Sequence, residues 1–166
     1  QHIAVFNPVG KKLNLLFANY NVKPWIRRVR EENGSLVKLP GSRIKRASLS
    51  LLGRNNAMDL DAMAFPGPKI LAGLCNPAQT SNERFYSSRL NGIKSNFAEW
   101  MCHPGFYDET LIGRDGSAKS ASIHMRPREL EFLAGGTFTH LANQSGFEIL
   151  SSSKIMKINQ AVMHAA

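Results

Sequence analysis

The sequence predicts an α/β fold with mainly parallel strands. Three observations predict it. Strand-like runs alternate with helical segments four times along the chain. The run "KILAGLCN" (69–76) is continuously apolar, the pattern of a strand covered on both faces. A helix-start signature follows it directly at Thr80 and Glu83. With 166 residues, 43% of them hydrophobic and 20% charged, the chain is long enough for one domain with its own core. That domain is expected over residues 1–152, and 153–166 reads as a tail without a strong signal.

Each element has its own warrant. "QHIAVF" is rich in β-formers and reads as the end of a strand. Asn7 is a good N-cap, and Pro8 fits the first helical position. Val9, Leu13, Leu16, Phe17 and Tyr20 then recur at spacings of three and four, one face of a helix. "PWIRRV" (24–29) carries aromatic and β-branched residues and predicts a second strand. "NGS" and "LPGS" mark turns. "SRIKRASLSLLGRNNAMDLDAMAF" predicts helix, with Gly53 ending one segment, and "PGP" at 66–68 breaks what precedes it. Residues 69–76 form the third strand. The Thr80–Glu83 capping box predicts a helix from residue 81. "NFAEWMCH" (96–103) is the fourth strand, and 107–127 reads as a long loop with an Asp115-Gly116 turn. "PRELEFLAG" (127–135) starts a helix with Pro127 near its first turn, and "GFEILS" (146–151) closes as a strand.

Composition narrows the function classes. The net charge of +9 permits a nucleic-acid partner. The basic residues cluster mainly in 23–54 without interleaved exposed aromatics, and no nucleic-acid motif accompanies them, so an ordinary basic surface is the better reading, and it could equally steer an anionic substrate. No apolar run approaches the ~18 residues of a membrane span, and the first twenty residues lack the order of a signal peptide. Cys75 and Cys102 lie in apolar strand-like runs and read as buried free thiols, which suits a reducing, cytoplasmic location. The sequence contains no HExxH, CxxC, GxGxxG or GxSxG pattern.

In parallel α/β folds ligands bind at the carboxyl ends of the strands. The second predicted strand ends in Arg27, Arg28 and Arg30, the third in Asn76 with Gln79 beyond it, and the fourth in His103. Neighbouring strands would bring a guanidinium, an amide and an imidazole to one rim, a hydrolytic set in which His103 serves as general acid or base. The alternative for His103 is a capped strand end whose ring bonds a carbonyl. His124 in a loop, His140 on a helix and His164 in the tail read as surface or core residues.

"EWMCHPGFYDETL", preceded by "AGLCNPAQTSNERF" and followed by "RPRELEFL", resembles the carboxyl-terminal half of YdjC-like carbohydrate deacetylases. "QHIAVFNPVGKKLNLLFANYNVKPWIRRVRE" resembles the middle of the same family, where a D-x-H-x-H strand leads into a proline, a helix and an arginine-bearing strand. The resemblance covers most of residues 1–150 and implies a partial (β/α) barrel-like fold, incomplete at its amino terminus. It implies a metal-dependent amidohydrolase that removes acetyl groups from N-acetylated sugars such as chitooligosaccharides, using magnesium or zinc, an aspartate base and a histidine acid. On that resemblance His103 is the proton donor, Arg28 orients base or substrate, Arg27, Arg30 and Asn76 contact the sugar, and His2 is a metal ligand.

The departures are equally specific. The family's paired aspartates have no counterpart, because no Asp-Asp pair occurs in this sequence. Gln1 falls one residue after the first histidine of the D-x-H-x-H strand, and Ala4 stands where many members carry a third. One histidine cannot hold a catalytic divalent ion, so the metal is expected not to be retained by this chain. A full barrel needs about 250 residues, and part of one exposes strand edges that invite pairing with a second copy. The expected partner is therefore an N-acetylated oligosaccharide. A non-catalytic α/β module binding carbohydrate or protein is the second reading, and a nucleic-acid binder the third.

Overall fold

The computed structural model describes residues 7–18, 20, 23–31, 43–73, 79, 81–110, 112–113 and 116–164. Among these the chain is α/β, with six helices and two parallel strands in an open sheet. The order is α1 (Asn7–Ala18), α2 (Arg43–Ala62), β1 (Ile70–Ala72), α3 (Glu83–Asn91), β2 (Ala98–Trp100), α4 (Ala121–Ala134), α5 (Thr137–Gln144) and α6 (Ser152–His164). β1 and β2 run parallel, with Ile70 opposite Ala98, Leu71 opposite Glu99 and Ala72 opposite Trp100. The geometry is that of an open sheet, and no closed barrel is formed by the described residues.

β1 matches its sequence signal. Ile70, Leu71 and Ala72 are all buried, as a continuous apolar run covered on both faces should be. The predicted strand at 24–29 becomes an extended stretch alongside β1. The Ile26 N–H donates to the Pro66 carbonyl at 2.9 Å, and the Leu71 N–H donates to the Arg30 carbonyl at 2.8 Å. The two bonds advance together along both chains, so the stretch runs parallel to β1 without completing a regular ladder.

Helices lie against both faces of this sheet. Val29, Leu71 and Met101 pack with Leu49 of α2 on one face. Successive strand residues alternate sides, so Trp100 projects from the other. There it joins Phe85, Tyr86 and Leu90 of α3, Phe132 of α4, and Leu141 and Ala142 of α5. Gly53 explains how α2 comes so close. A Cβ at that position would stand 2.1 Å from the Val29 carbonyl oxygen. The glycine does not end the helix, as the sequence suggested; it is the contact point that seats an unbroken α2 on the extended stretch.

Five further expectations are corrected. α3 is capped by Asn82, whose side chain accepts from the Phe85 N–H at 3.1 Å, two residues beyond the predicted Thr80 cap. α4 begins at Ala121, and Pro127 lies inside it. Its added amino-terminal turn is anchored by the fully buried Ile123, so packing outweighs the local cost of an interior proline. His124 is consequently on a helix and not in a loop.

The predicted strand at 146–151 does not form. The Gly146 N–H bonds the Asn143 carbonyl and the Phe147 N–H bonds the Ala142 carbonyl, the two bonds of a Schellman ending to α5. Phe147 drops onto the aromatic cluster as part of the same turn. Its N–H is therefore already used and unavailable to a ladder. The supposed tail carries α6, whose start is marked by Ser151: its Oγ accepts from the Lys154 N–H at 3.3 Å. His2, Cys75, Asn76, Thr80, Asp115 and the predicted strand "QHIAVF" lie outside the described residues. No helix among the described residues is long and apolar enough to cross a membrane.

Candidate active site

The carboxyl end of β2 carries the most distinctive sequence, Cys102-His103-Pro104-Gly105. Gly73, at the matching end of β1, has φ +84°, and its Cα lies so near Met101 that an added Cβ would stand 2.1 Å from the Met101 carbonyl oxygen. Glycine is thus required where the chain leaves β1 beside the start of the histidine turn. His103 itself is exposed, and its backbone N–H donates to Oε2 of Glu129 on α4 at 2.9 Å. The Gly105 N–H reaches the Arg126 carbonyl of the same helix at 3.4 Å.

Glu129 is the residue that sequence reading missed. It is only 3% exposed, on the helix face it shares with Phe132 three residues on. Burial pushes its carboxyl above the usual glutamate range. The His103 N–H, the positive charge available to His103, the Tyr86 hydroxyl and Arg126 all oppose that shift. The available signal was an acidic residue three positions before Phe132, hence on the same face of "PRELEFL" as a core aromatic.

Cys102 is exposed, which corrects its expected burial. Local desolvation nevertheless raises its thiol pKa, and the Glu129 charge adds to the effect. Cys102 is therefore expected to alkylate with iodoacetamide at pH 8 more slowly than a free cysteine. Mass mapping of the modified peptide measures it, and a rate equal to that of a cysteine peptide would contradict the assignment.

The arginines part company. Arg28 is buried, and its guanidinium donates to the Ile26 carbonyl at 2.9 Å, to the Phe65 carbonyl, and to Asp61 at 3.2 Å. Burial lowers its pKa and Asp61 opposes that. Phe65 and Asp61 precede β1, so these bonds hold Arg28 toward the amino end of β1, whereas His103 follows the carboxyl end of β2. The structure does not bring the two together. Arg27 is half-buried and paired with Glu99 of β2, reaching across β1. Arg30 is partly buried, with its carbonyl committed to Leu71.

A groove of about 1170 Å³ runs beside β2. Trp25, Phe97, Trp100, Phe138 and Phe147 supply aromatic walls, Arg27 and Glu99 supply charge, and Cys102 stands at the histidine end. Among the described residues, no three His, Cys, Asp or Glu side chains converge where they could hold a metal ion. The described residues thus do not by themselves fit the divalent ion that the resemblance implies.

A family model described as YdjC-like protein matches residues 1–144. The chain belongs to the YdjC-like family. Searches of curated proteins and of solved structures give no match. The YdjC-like match spans the extended arginine stretch, both strands, the histidine turn and α3 through α5, so Glu129 and the groove walls up to Phe138 fall within it, while Phe147 and α6 lie beyond it.

Proposed function

We propose that this chain forms the histidine-bearing rim of a carbohydrate deacetylase, a hydrolase that releases acetate from N-acetylated sugars. Membership of the YdjC-like family supports the reaction class. The observation that carries the residue assignment is His103: an exposed imidazole on a turn tied to α4, at the strand end where α/β folds place ligands. An imidazole can give up a proton near neutral pH, so His103 would protonate the amine that leaves as the acetyl C–N bond breaks. The aromatic groove suits the apolar faces of sugar rings. Arg27 and Arg30, with Asn76, would contact sugar hydroxyls or the acetyl oxygen. Arg28 would act at one remove, by holding the arginine stretch against the residues that precede β1. Magnesium or zinc belongs to the proposal only with ligands from outside the described residues, His2 among them.

The test is acetate release from a chitooligosaccharide by the protein, with any natural sequence preceding Gln1 included. His103→Ala should lower turnover by about 100-fold, the scale of a general acid contribution. Unchanged turnover rejects the assignment. The groove also supports a second reading, binding without turnover. Under that reading the wild-type protein binds the oligosaccharide, His103→Ala binds it equally well, and neither releases acetate.

A further inference from the structure

We propose that Glu129 is a positioning residue for His103: its buried carboxylate fixes the backbone of the His-Pro-Gly turn so that the imidazole stands at the rim. The inference rests on the reading of His103 as proton donor.

A carboxylate is an expensive choice for a buried position beside Tyr86, whose ring packs on Phe132. Removing such a group from water costs several kcal/mol unless donors replace the lost hydration. A leucine would fill the same helix face without that cost. What the carboxylate gains is a set of donors, and the geometry shows which. The His103 N–H reaches Oε2 at 2.9 Å. The Tyr86 hydroxyl donates as well, and Arg126 lies near enough to add a favourable charge.

The turn itself has few ways to be held. Pro104 has no N–H, so the backbone donors of the turn are the amides of His103 and Gly105. Both donate to α4, one to the Glu129 side chain and the other to the Arg126 carbonyl. The side-chain tie is the shorter of the two and falls on the residue that bears the ring. The backbone of His103 is therefore fixed while its side chain stays exposed. That is the arrangement a proton donor needs, since a misplacement of about 1 Å can cost on the order of 100-fold in rate.

Three measurements on the protein test this. Hydrogen exchange at the His103 amide should be slow in the wild type and in Glu129→Gln, whose side-chain oxygen can still accept, and at least tenfold faster in Glu129→Ala. The His103 amide proton resonance should titrate with Glu129 in the wild type, with a midpoint above that of an exposed glutamate. It should lose that titration in Glu129→Gln. In the acetate assay Glu129→Ala should lower kcat by about 10- to 100-fold with KM little changed, and Glu129→Gln should recover most of it.

Unaltered His103 exchange in Glu129→Ala overturns the proposal, as does a wild-type amide resonance that does not follow Glu129. Should Glu129→Ala not fold, the amide titration in the wild type and Glu129→Gln decides alone. A failure of the deacetylase reading looks different: His103→Ala leaves turnover unchanged while the exchange and titration results still show the tie. If His103→Ala is slow and folded Glu129→Ala is as fast as wild type, the positioning role is what fails.

Discussion

Glu31→Ala is expected to lower the unfolding free energy by about 3–5 kcal/mol, the cost of removing one partner from a buried ion pair. Glu31 ends the extended arginine stretch and is 4% exposed. Arg46 of α2 grips it bidentately, with Nε donating to Oε1 at 2.7 Å and Nη2 to Oε2. Arg89 of α3 comes within 3.9 Å of the same oxygen. Both guanidinium groups are buried, and neither can shed its charge, because arginine stays protonated at any ordinary pH. With that carboxylate gone, two buried cations lose an anion that both of them face. The loss should appear as a lower urea midpoint at unchanged slope, read by circular dichroism. Since a domain of this size has about 5–15 kcal/mol in all, the variant could be largely unfolded at 37 °C. A loss below about 1 kcal/mol would show that the cluster does not join α2, α3 and the arginine stretch as described.

That cluster also marks how far the sequence could be read. Local pattern was enough for β1, where Ile70, Leu71 and Ala72 needed only an apolar run, and for the presence of α1, though Leu16 and Tyr20 of its expected apolar face are exposed and Asn14 is buried. β2 was equally legible, while for the histidine after it the pattern allowed both an open rim and a capped strand end. Partners distant in sequence were not. Arg28 and Arg30 look alike as letters in "WIRRVRE", yet Arg28 is committed to Asp61 and two carbonyls, a fact set by how α2 folds back. Gly53 reads locally as a helix stop because its reason, the Val29 carbonyl, lies on another element. Pro127 reads as a helix start because nothing nearby in sequence shows that Ile123 will be buried. Glu129 was passed over for the same cause: its donors are on the turn after β2 and on α3, and a charged residue on a helix is usually solvated. Terminal signals also misled where two fitted, as Asn82 displaced Thr80 and Ser151 opened a helix on a stretch read as strand and tail.

Tyr86 is where packing and site chemistry meet, and its two substitutions should separate them. Its ring is 1% exposed and lies 4.6 Å from Phe132, 5.1 Å from Trp100 and 5.7 Å from Phe138, centroid to centroid. Tyr86→Ala removes the middle of that cluster along with the hydroxyl and should cost about 3–5 kcal/mol even in acid, where the hydroxyl matters least, as large-to-small core changes do. Tyr86→Phe keeps the rings and removes only the hydroxyl that donates to Glu129, an expected loss of about 1–3 kcal/mol at neutral pH. Its sign with pH follows from the carboxyl. Glu129 has a folded-state pKa above its unfolded one, so its contribution to stability is most favourable below the unfolded pKa and is lost as pH rises through the folded value. The Tyr86 hydroxyl is one of the groups that lowers the folded value. Without it the folded pKa rises further, and the penalty of Tyr86→Phe should be full when Glu129 is ionised and shrink as acid protonates it. Urea titrations of wild type and Tyr86→Phe from pH 7 down to pH 4 measure the difference directly. A penalty for Tyr86→Phe that does not change over that range would mean the hydroxyl does not serve the carboxylate, and the tie from α3 through Glu129 to the His103 turn would lose its middle link.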